Sequence, residues 1–320
     1  MTPSQVSHPC YYRTMDSSRL PRFKRVSPVI AIRLTERDRE IIRLVQRFRF
    51  VRSSHVCSLI SGSPQQLLRR LQLLYHHGFL ERPRAQLDYY HRGGSHHIVY
   101  GLGAKGAVFL RRDLGPGFAR IHWGEKKRAV GRVFLEHALL VADVMVTIEL
   151  ACRRTGIRLL TAHELAVLDK TTGKRRPFRW QVKISNRLKL GVIPDYVFAL
   201  EFKDRIGTSK HAFFFLEADR ATMPVMRKKL SQTSFYRKLR AYEATWSQSV
   251  HQTRFGFNRF RVLSVTTSVE RVKSLVSACS KLERGQGLFL FADRTILEKP
   301  ADMFSAAWQT GKGETVTLLD

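Results

Sequence analysis

Apolar side chains recur at helical spacing in three successive segments near the start of the chain. The first segment, 35–48, opens with Thr35 followed three residues later by Asp38. This capping pattern satisfies backbone N–H groups at the start of a helix. The third segment begins with a proline and is followed by Gly78, which is the usual asymmetry of helix ends. The second and third helices are predicted over residues 54–60 and 64–77.

Two short strands, 79–82 and 97–102, are predicted after these helices, with a polar tip between them. Three helices followed by a two-stranded wing are typical of helix-turn-helix proteins that read DNA. The pattern therefore predicts an α+β winged helix-turn-helix domain over 33–112. The residues before it, 1–32, are rich in Ser, Pro and Arg and are predicted to form a flexible basic arm.

A stretch with glycine and proline, 113–128, is predicted to link this domain to an α/β domain over 129–298, with 299–320 as a C-terminal tail. Continuous apolar runs in its strands predict a sheet that is covered on both faces. The predicted elements are a helix at 131–154, strands at 157–168, 193–200 and 212–219, a helix at 227–246, a strand at 261–268, a helix at 269–279 and a strand at 287–293, with 170–189 irregular.

The net charge of the chain indicates the kind of partner that it binds. The chain of 320 residues carries 56 Lys plus Arg against 26 Asp plus Glu, a formal net charge of +30, and both halves share the excess. Such a surplus indicates a polyanionic partner, most simply nucleic acid bound in a salt-dependent way. An anionic membrane surface is the weaker alternative.

The sequence also argues against a membrane-spanning, a secreted or a zinc-binding protein. No uninterrupted apolar run reaches the roughly 18 residues of a membrane span, and the N-terminus lacks the apolar core of a secretory signal. The four cysteines are scattered without the Cys/His spacing of a zinc site. We therefore expect a cytoplasmic protein with no membrane partner and no structural zinc.

The third predicted helix has a polar face suited to base recognition, because Arg and Gln side chains match guanine and adenine edges in the major groove. The alternative is a solvated helix face, and Arg70 is equally suited to a phosphate. The leucines predicted on the core face are Leu67, Leu68, Leu71 and Leu74. The candidate DNA-binding residues are Gln65, Gln66, Arg69, Arg70 and Gln72 of the helix, and Tyr90, Arg92 and His96 of the wing.

Acidic residues lie at the ends of two strands of the predicted second domain. Asp195 is at the head of one strand, and Glu217 and Asp219 end the next. Converging carboxylates would form a site for Mg²⁺ or Mn²⁺, and such an ion activates water against a phosphodiester. Glu136 or Asp143 of the long helix would add a further ligand. The alternative is that these acids only pair with neighbouring arginines.

The order of these motifs resembles that of the plasmid replication-relaxation family. The segments that carry the resemblance are LTERDREIIRLVQRF, LLRRLQLLYHHGFLER and YGLGAKGA in the first half, and LEHALLVADV, PDYVF and FFLEADRAT in the second. The resemblance spans about residues 33 to 295. It implies a winged helix followed by a domain similar to the PD-(D/E)xK, or restriction-endonuclease-like, fold. It also implies a bacterial protein that processes the DNA of a plasmid or mobile element.

One position departs from the nuclease pattern that the resemblance implies. Asp219 stands where the motif requires a lysine that orients water and stabilises developing charge. A lysine from the following helix would replace it, and the candidates are Lys228, Lys229 and Lys238. The alternative is a nuclease fold retained only as a DNA clamp or a protein-docking module.

Three functions are therefore expected in competition. The leading one is a DNA-binding accessory protein in plasmid replication, relaxation or mobilisation, with other replication or mobilisation proteins as possible partners. The second is an endonuclease dependent on Mg²⁺ or Mn²⁺, with Asp195, Glu217, Asp219 and Lys229 at its catalytic centre and Asp195, Glu217 and Glu136 on the metal. The third is a transcriptional regulator whose second domain forms a homodimer.

Overall fold

The computed structural model describes residues 21–26, 31–87, 96–114, 131–168, 178–203 and 206–320. Within these ranges the chain is mixed α/β, with helices and three sheets of three, seven and two strands. The helices and strands fall into an N-terminal unit and a larger second unit built around the seven-stranded sheet.

The N-terminal unit contains the three predicted helices and the two predicted wing strands. Thr35 and Asp38 form the expected capping box at the start of the first helix. A three-residue strand that the sequence analysis missed pairs with the second wing strand, so that the sheet order is β1-β3-β2. The elements are α1 (Glu36–Phe48), β1 (Phe50–Arg52), α2 (Ser53–Leu59), α3 (Pro64–His76), β2 (Leu80–Glu81), β3 (Val99–Leu102) and α4 (Ala104–Leu114).

The second unit is organised by a sheet of order β12-β11-β10-β9-β8-β7-β4, with the short hairpin β5-β6 separate from it. Strands β8, β9 and β10 run parallel, and β7 and β4 continue the sheet antiparallel on one side. The elements are α5 (Arg132–Thr155), β4 (Arg158–Thr161), α6 (Ala162–Leu168), β5 (Trp180–Ser185), β6 (Leu188–Val192), β7 (Tyr196–Lys203), β8 (Ser209–Ala218), α7 (Phe235–Ser247), α8 (Val250–Phe255), β9 (Arg261–Thr266), α9 (Val269–Cys279), β10 (Phe289–Asp293), β11 (Trp308–Thr310) and β12 (Thr315–Val316).

Helices cover both faces of the central strands, as their continuous apolar runs predicted. Alternate residues of β8 point to opposite faces, so Phe214 and Leu216 pack in the same cluster as Met145 of α5. Phe215 packs in a second cluster with Tyr242 of α7. The first cluster also includes the core of the N-terminal unit, so one apolar core connects α1 and α3 with α5 and the sheet.

Several predicted boundaries in the second unit differ from the structure. The strand predicted over 157–168 ends at Thr161, where Glu164 accepts the Thr161 N–H and starts a helix, in a capping pattern that was overlooked. The irregular segment 170–189 contains β5 and the start of β6. The helix predicted from 227 begins only at Phe235, because Ser234 caps it there.

The residues expected to form a C-terminal tail continue the sheet. Strand β11 pairs with β10, and β12 pairs with β11. Trp308 is fully buried, as is Met303 before it. Residues 299–320 therefore belong to the same folded unit as the strands that precede them.

Candidate functional site

The outward face of α3 is exposed and polar. Ser63 caps its first turn by accepting the N–H of Gln66 at 3.3 Å. Gln65, Gln66 and Arg69 are exposed, and Gln72 is half-buried. The leucines on the opposite face, Leu67, Leu71 and Leu74, are fully buried. The helix is therefore held by its apolar side and presents amide and guanidinium groups to solvent.

Leu68 does not belong to the core face on which it was predicted. Its exposed fraction is 46%, whereas neighbouring Leu67 is fully buried. Successive residues are about 100° apart around a helix, and this turn moves Leu68 to the edge of the polar face.

Arg70 is engaged inside the N-terminal unit. Its guanidinium forms a salt bridge with Asp38, whose side chain is completely buried, and also bonds the backbone oxygen of Arg33. Burial alone raises the pKa of Asp38, but the bonds from Arg70 and Thr35 outweigh it, so this pKa lies below its ordinary value. Arg70 therefore neutralises a buried carboxylate at the capping box, and this position separates it from the exposed Arg69.

Of the three candidate DNA-binding residues in the predicted wing, one lies within the described residues. Tyr90 and Arg92 lie outside the described residues, and His96 is exposed at the base of the wing. His96 lines a cleft of about 830 Å³ between the N-terminal unit and α5. Arg52 and His55 also line this cleft, and both bind Asp143 of α5. Asp143 thus joins the two units, and it is not a ligand beside Asp195.

Asp195 lies at the end of the sheet where β7 begins. One carboxylate oxygen accepts the backbone N–H of Ala218 at 2.8 Å, and the other lies 3.0 Å from Nε2 of His137 on α5. Burial alone raises the pKa of Asp195, but the bond from His137 and the charge of Lys238 outweigh it and place the pKa below its ordinary value. The hydrogen bond to Asp195 raises the pKa of His137.

Glu217 is buried beside Asp195 and contacts two side chains of α7. Lys238 Nζ and the Tyr242 hydroxyl each donate to one of its carboxylate oxygens at 2.5 Å. Burial raises the pKa of Glu217, and the positive charge of Lys238 opposes this rise only in part. A small cavity of about 180 Å³ opens next to these three residues.

Asp219 does not join this pair of carboxylates. Arg271 of α9 binds both of its oxygens, at 2.8 and 3.2 Å, and the Thr266 hydroxyl donates to one of them at 2.8 Å. Asp219 thus ties the end of β8 to β9 and α9. Arginine pairing, the alternative that the sequence left open for these acids, is the arrangement seen at this position.

The other predicted members of the site also lie elsewhere. Glu136 pairs with Arg220, which follows β8, and with Arg132 of its own helix. Lys229 is exposed in the irregular segment before α7. Of the three candidate lysines, Lys238 is the one that contacts a carboxylate of the cluster. We call Asp195, His137, Glu217, Lys238 and Tyr242 the sheet-end cluster.

The carboxylates that suggested an Mg²⁺ or Mn²⁺ site are engaged by protein donors in the sheet-end cluster. Each described oxygen of Asp195 and Glu217 already accepts a bond from a protein donor. In the part of the chain that the structure describes, no three His, Cys, Asp or Glu residues are grouped so as to hold a metal. Mg²⁺ is usually held by one or two carboxylates together with water and phosphate oxygens, so an ion here would share the carboxylate oxygens with these donors, and we derive no metal-dependent step.

Lys238 was among the predicted lysines, but its spacing from Tyr242 gives a further signal. Lys238 and Tyr242 are four residues apart and therefore share one face of a helix. A buried face with a lysine and a tyrosine indicates an acidic partner. His137 gave no comparable signal, since its partner is 58 positions away.

With this geometry established, the sequence can be placed in a family. The chain belongs to the replication-relaxation family, whose profile matches residues 42–259. The match begins within α1, extends past α8 and includes both regions described above. No curated protein and no solved structure was found to match the chain. No helix in the described ranges has both the length and the apolar character needed to cross a bilayer.

Proposed function

We propose that the N-terminal unit is a winged helix that binds duplex DNA. The protein would act through it as an accessory factor in the replication, relaxation or mobilisation of plasmid or mobile-element DNA. The observation that carries this proposal is the exposed face of α3, on which Gln65, Gln66 and Arg69 project from a helix anchored by its buried leucines. Membership of the replication-relaxation family supports the same reading.

The chemistry of this face suits a major groove. Arg forms paired hydrogen bonds with guanine and Gln with adenine, and the first residues of a recognition helix reach the bases. Gln65, Gln66 and Arg69 meet both conditions, whereas Arg70 is committed to Asp38. A net charge of +30 supplies attraction to phosphates that is independent of sequence.

For the second unit, we propose a nuclease-like scaffold of the PD-(D/E)xK type that serves as a clamp or docking module. Asp195 and Glu217 meet at a sheet end, and Lys238 from α7 takes the part of the missing motif lysine. Because protein donors occupy both carboxylates, we propose that these groups stabilise the fold. Homodimerisation, other replication proteins as partners and a bacterial cytoplasmic location belong to the same proposal.

Duplex binding is tested by fluorescence anisotropy of a labelled mixed-sequence duplex at several salt concentrations. We expect salt-sensitive binding that Arg69→Ala weakens by about 1–3 kcal/mol. Lys273→Ala removes one exposed cation from α9 and serves as the control, with little expected change. Failure of the unaltered protein to bind duplex DNA in dilute buffer would overturn the proposal.

The endonuclease hypothesis is distinguished from the clamp hypothesis by incubating the protein and supercoiled plasmid with Mg²⁺ or Mn²⁺. We expect no cleavage that depends on Asp195. Cutting that is lost in Asp195→Asn, with duplex binding intact, would instead establish the enzyme. The regulator reading is distinguished by one preferred palindromic site, which selection from random duplexes would reveal.

A further inference from the structure

We infer that the C-terminal end of α5, together with Lys299, forms a second phosphate-binding surface beside α3, so that both units contact one DNA duplex. This inference rests on the proposed binding of duplex DNA and specifies which part of the second unit shares in it. The sequence analysis placed these residues in separate domains and a tail, with no indication that they meet.

The structure fixes the end of α5 against the turn that precedes α3. Arg153 donates to the backbone oxygen of Leu59, the last residue of α2, at 2.5 Å. Its other terminal nitrogen binds Glu149 at 2.7 Å, and Glu149 also pairs with Arg47 of α1. These bonds hold the end of α5 against the end of α2, where the chain turns toward the reading helix.

Cationic side chains gather where α5 ends. Arg153, Arg154 and Lys299 line one groove of about 490 Å³, and Asp302 is the acidic residue on it. Arg154 and Lys299 are both exposed. The turn Pro300–Asp302 packs on α5, which holds Lys299 next to the helix end.

A further cation lies at the same turn. Gly62 has φ +134°, and the guanidinium carbon of Arg37 lies 3.1 Å from the position that a Cβ would take there. The turn from α2 to α3 is therefore close to Arg37 of α1 and, at Leu59, to Arg153 of α5. Residues that flank a reading helix meet the phosphates along the groove and set the position of the protein on DNA. Glu149 is already paired with Arg153 and Arg47, and Asp302 lines the groove beside Arg154 and Lys299, so cations outnumber acids on this surface and suit a phosphate backbone.

The test compares two double variants by measuring duplex affinity against salt concentration. Arg154→Ala with Lys299→Ala removes two cations from the proposed surface. Lys273→Ala with Lys281→Ala removes two exposed cations from α9 and the residues after it, on the opposite face of the sheet. Each phosphate that the protein no longer neutralises lowers the slope of log K against log salt by about 0.9. We therefore expect the first variant to lower the slope by about 2 and the control to leave it unchanged.

The outcomes separate this inference from the proposed function. An unchanged slope in the Arg154/Lys299 variant, while Arg69→Ala still weakens binding, would overturn the inference and leave duplex binding in place. An equal fall in both double variants would also overturn it, because the charge would then act without a defined surface. Absence of binding by the unaltered protein would remove the proposed function itself. Circular dichroism confirms that each variant is folded.

Discussion

The face of α3 and the sheet-end cluster both consist of polar side chains, but the first faces solvent and the second faces other protein groups. On α3, Gln65, Gln66 and Arg69 extend into solvent from a buried leucine stripe. In the cluster, Glu217 is 2% exposed and meets Lys238 and Tyr242 of the same protein. A polyanion can bind the first region without displacing any protein contact that the structure shows. A ligand of the second meets carboxylate oxygens that protein donors already engage.

This difference separates recognition from stability. Exposed cations lose little on binding phosphate, and their effect appears in affinity and salt dependence. Buried ion pairs have already been desolvated, so removing one partner destabilises the folded state. Arg69 and Arg70 are adjacent and fall on opposite sides of this division, which makes the comparison testable within one helix.

The largest expected effect separates the two faces of α3. Leu71 is fully buried, so Leu71→Ala should lower the free energy of unfolding by about 2–5 kcal/mol, through reduced burial and the cavity it leaves. Leu68→Ala, on the exposed edge, should change it by no more than about 1 kcal/mol. Urea denaturation measures both, and equal losses would contradict the division of α3 into a buried and an open face.

The next largest effect concerns the sheet-end cluster, whose side chains bond to one another. Glu217→Gln should destabilise the protein by about 2–3 kcal/mol, because the ammonium of Lys238 loses its counter-charge. This is less than the roughly 3–5 kcal/mol of a fully buried pair, since 34% of the Lys238 side chain is exposed. The double variant that also carries Lys238→Met should regain part of the lost free energy of unfolding. A stable single variant that binds Mn²⁺ would show that the cluster is open to ligands after all.

The two arginines give a matched pair. Arg70→Ala should cost about 2 kcal/mol of stability, because Asp38 stays buried with only its capping bonds. Arg69→Ala should change stability by less than about 0.5 kcal/mol and act on DNA affinity instead. Chemical denaturation and anisotropy on the same samples check this, and the reverse pattern would exchange the roles of the two residues.

The smallest effect is a pH dependence at His137 and Asp195. Because the folded pKa of His137 is raised, its contribution is complete below its ordinary value and is lost as the pH rises through the folded value. The lowered pKa of Asp195 keeps that partner ionised across this range. Relative to His137→Asn, the unaltered protein should be roughly 1 kcal/mol more stable in mildly acidic buffer, and this advantage should be smaller in alkaline buffer.

Denaturation in both buffers measures this difference. His163→Asn, which removes an exposed histidine of α6, is the control and should leave the dependence intact. A pH dependence that persists without His137 would assign it to another group.

Features set by neighbours close in the chain were predictable from the sequence. The bounds of α1 and α3 follow the cap at Thr35, the proline after Ser63 and Gly78, because a helix is fixed by contacts within about four residues. The apolar runs of β7 and β8 likewise predicted strands covered on both faces. The positions of the polar groups on α3 follow from the same periodicity.

Partner choice was decided only by the tertiary structure. Arg70 meets Asp38 across 32 positions, His137 meets Asp195 across 58, and Arg153 meets Leu59 across 94. No local pattern specifies such pairs, since packing of whole helices and strands brings them together. The residue sequence by itself thus determined the helices, their polar faces and the excess of positive charge. Three-dimensional packing decided which charges are neutralised inside the protein and which remain at its surface.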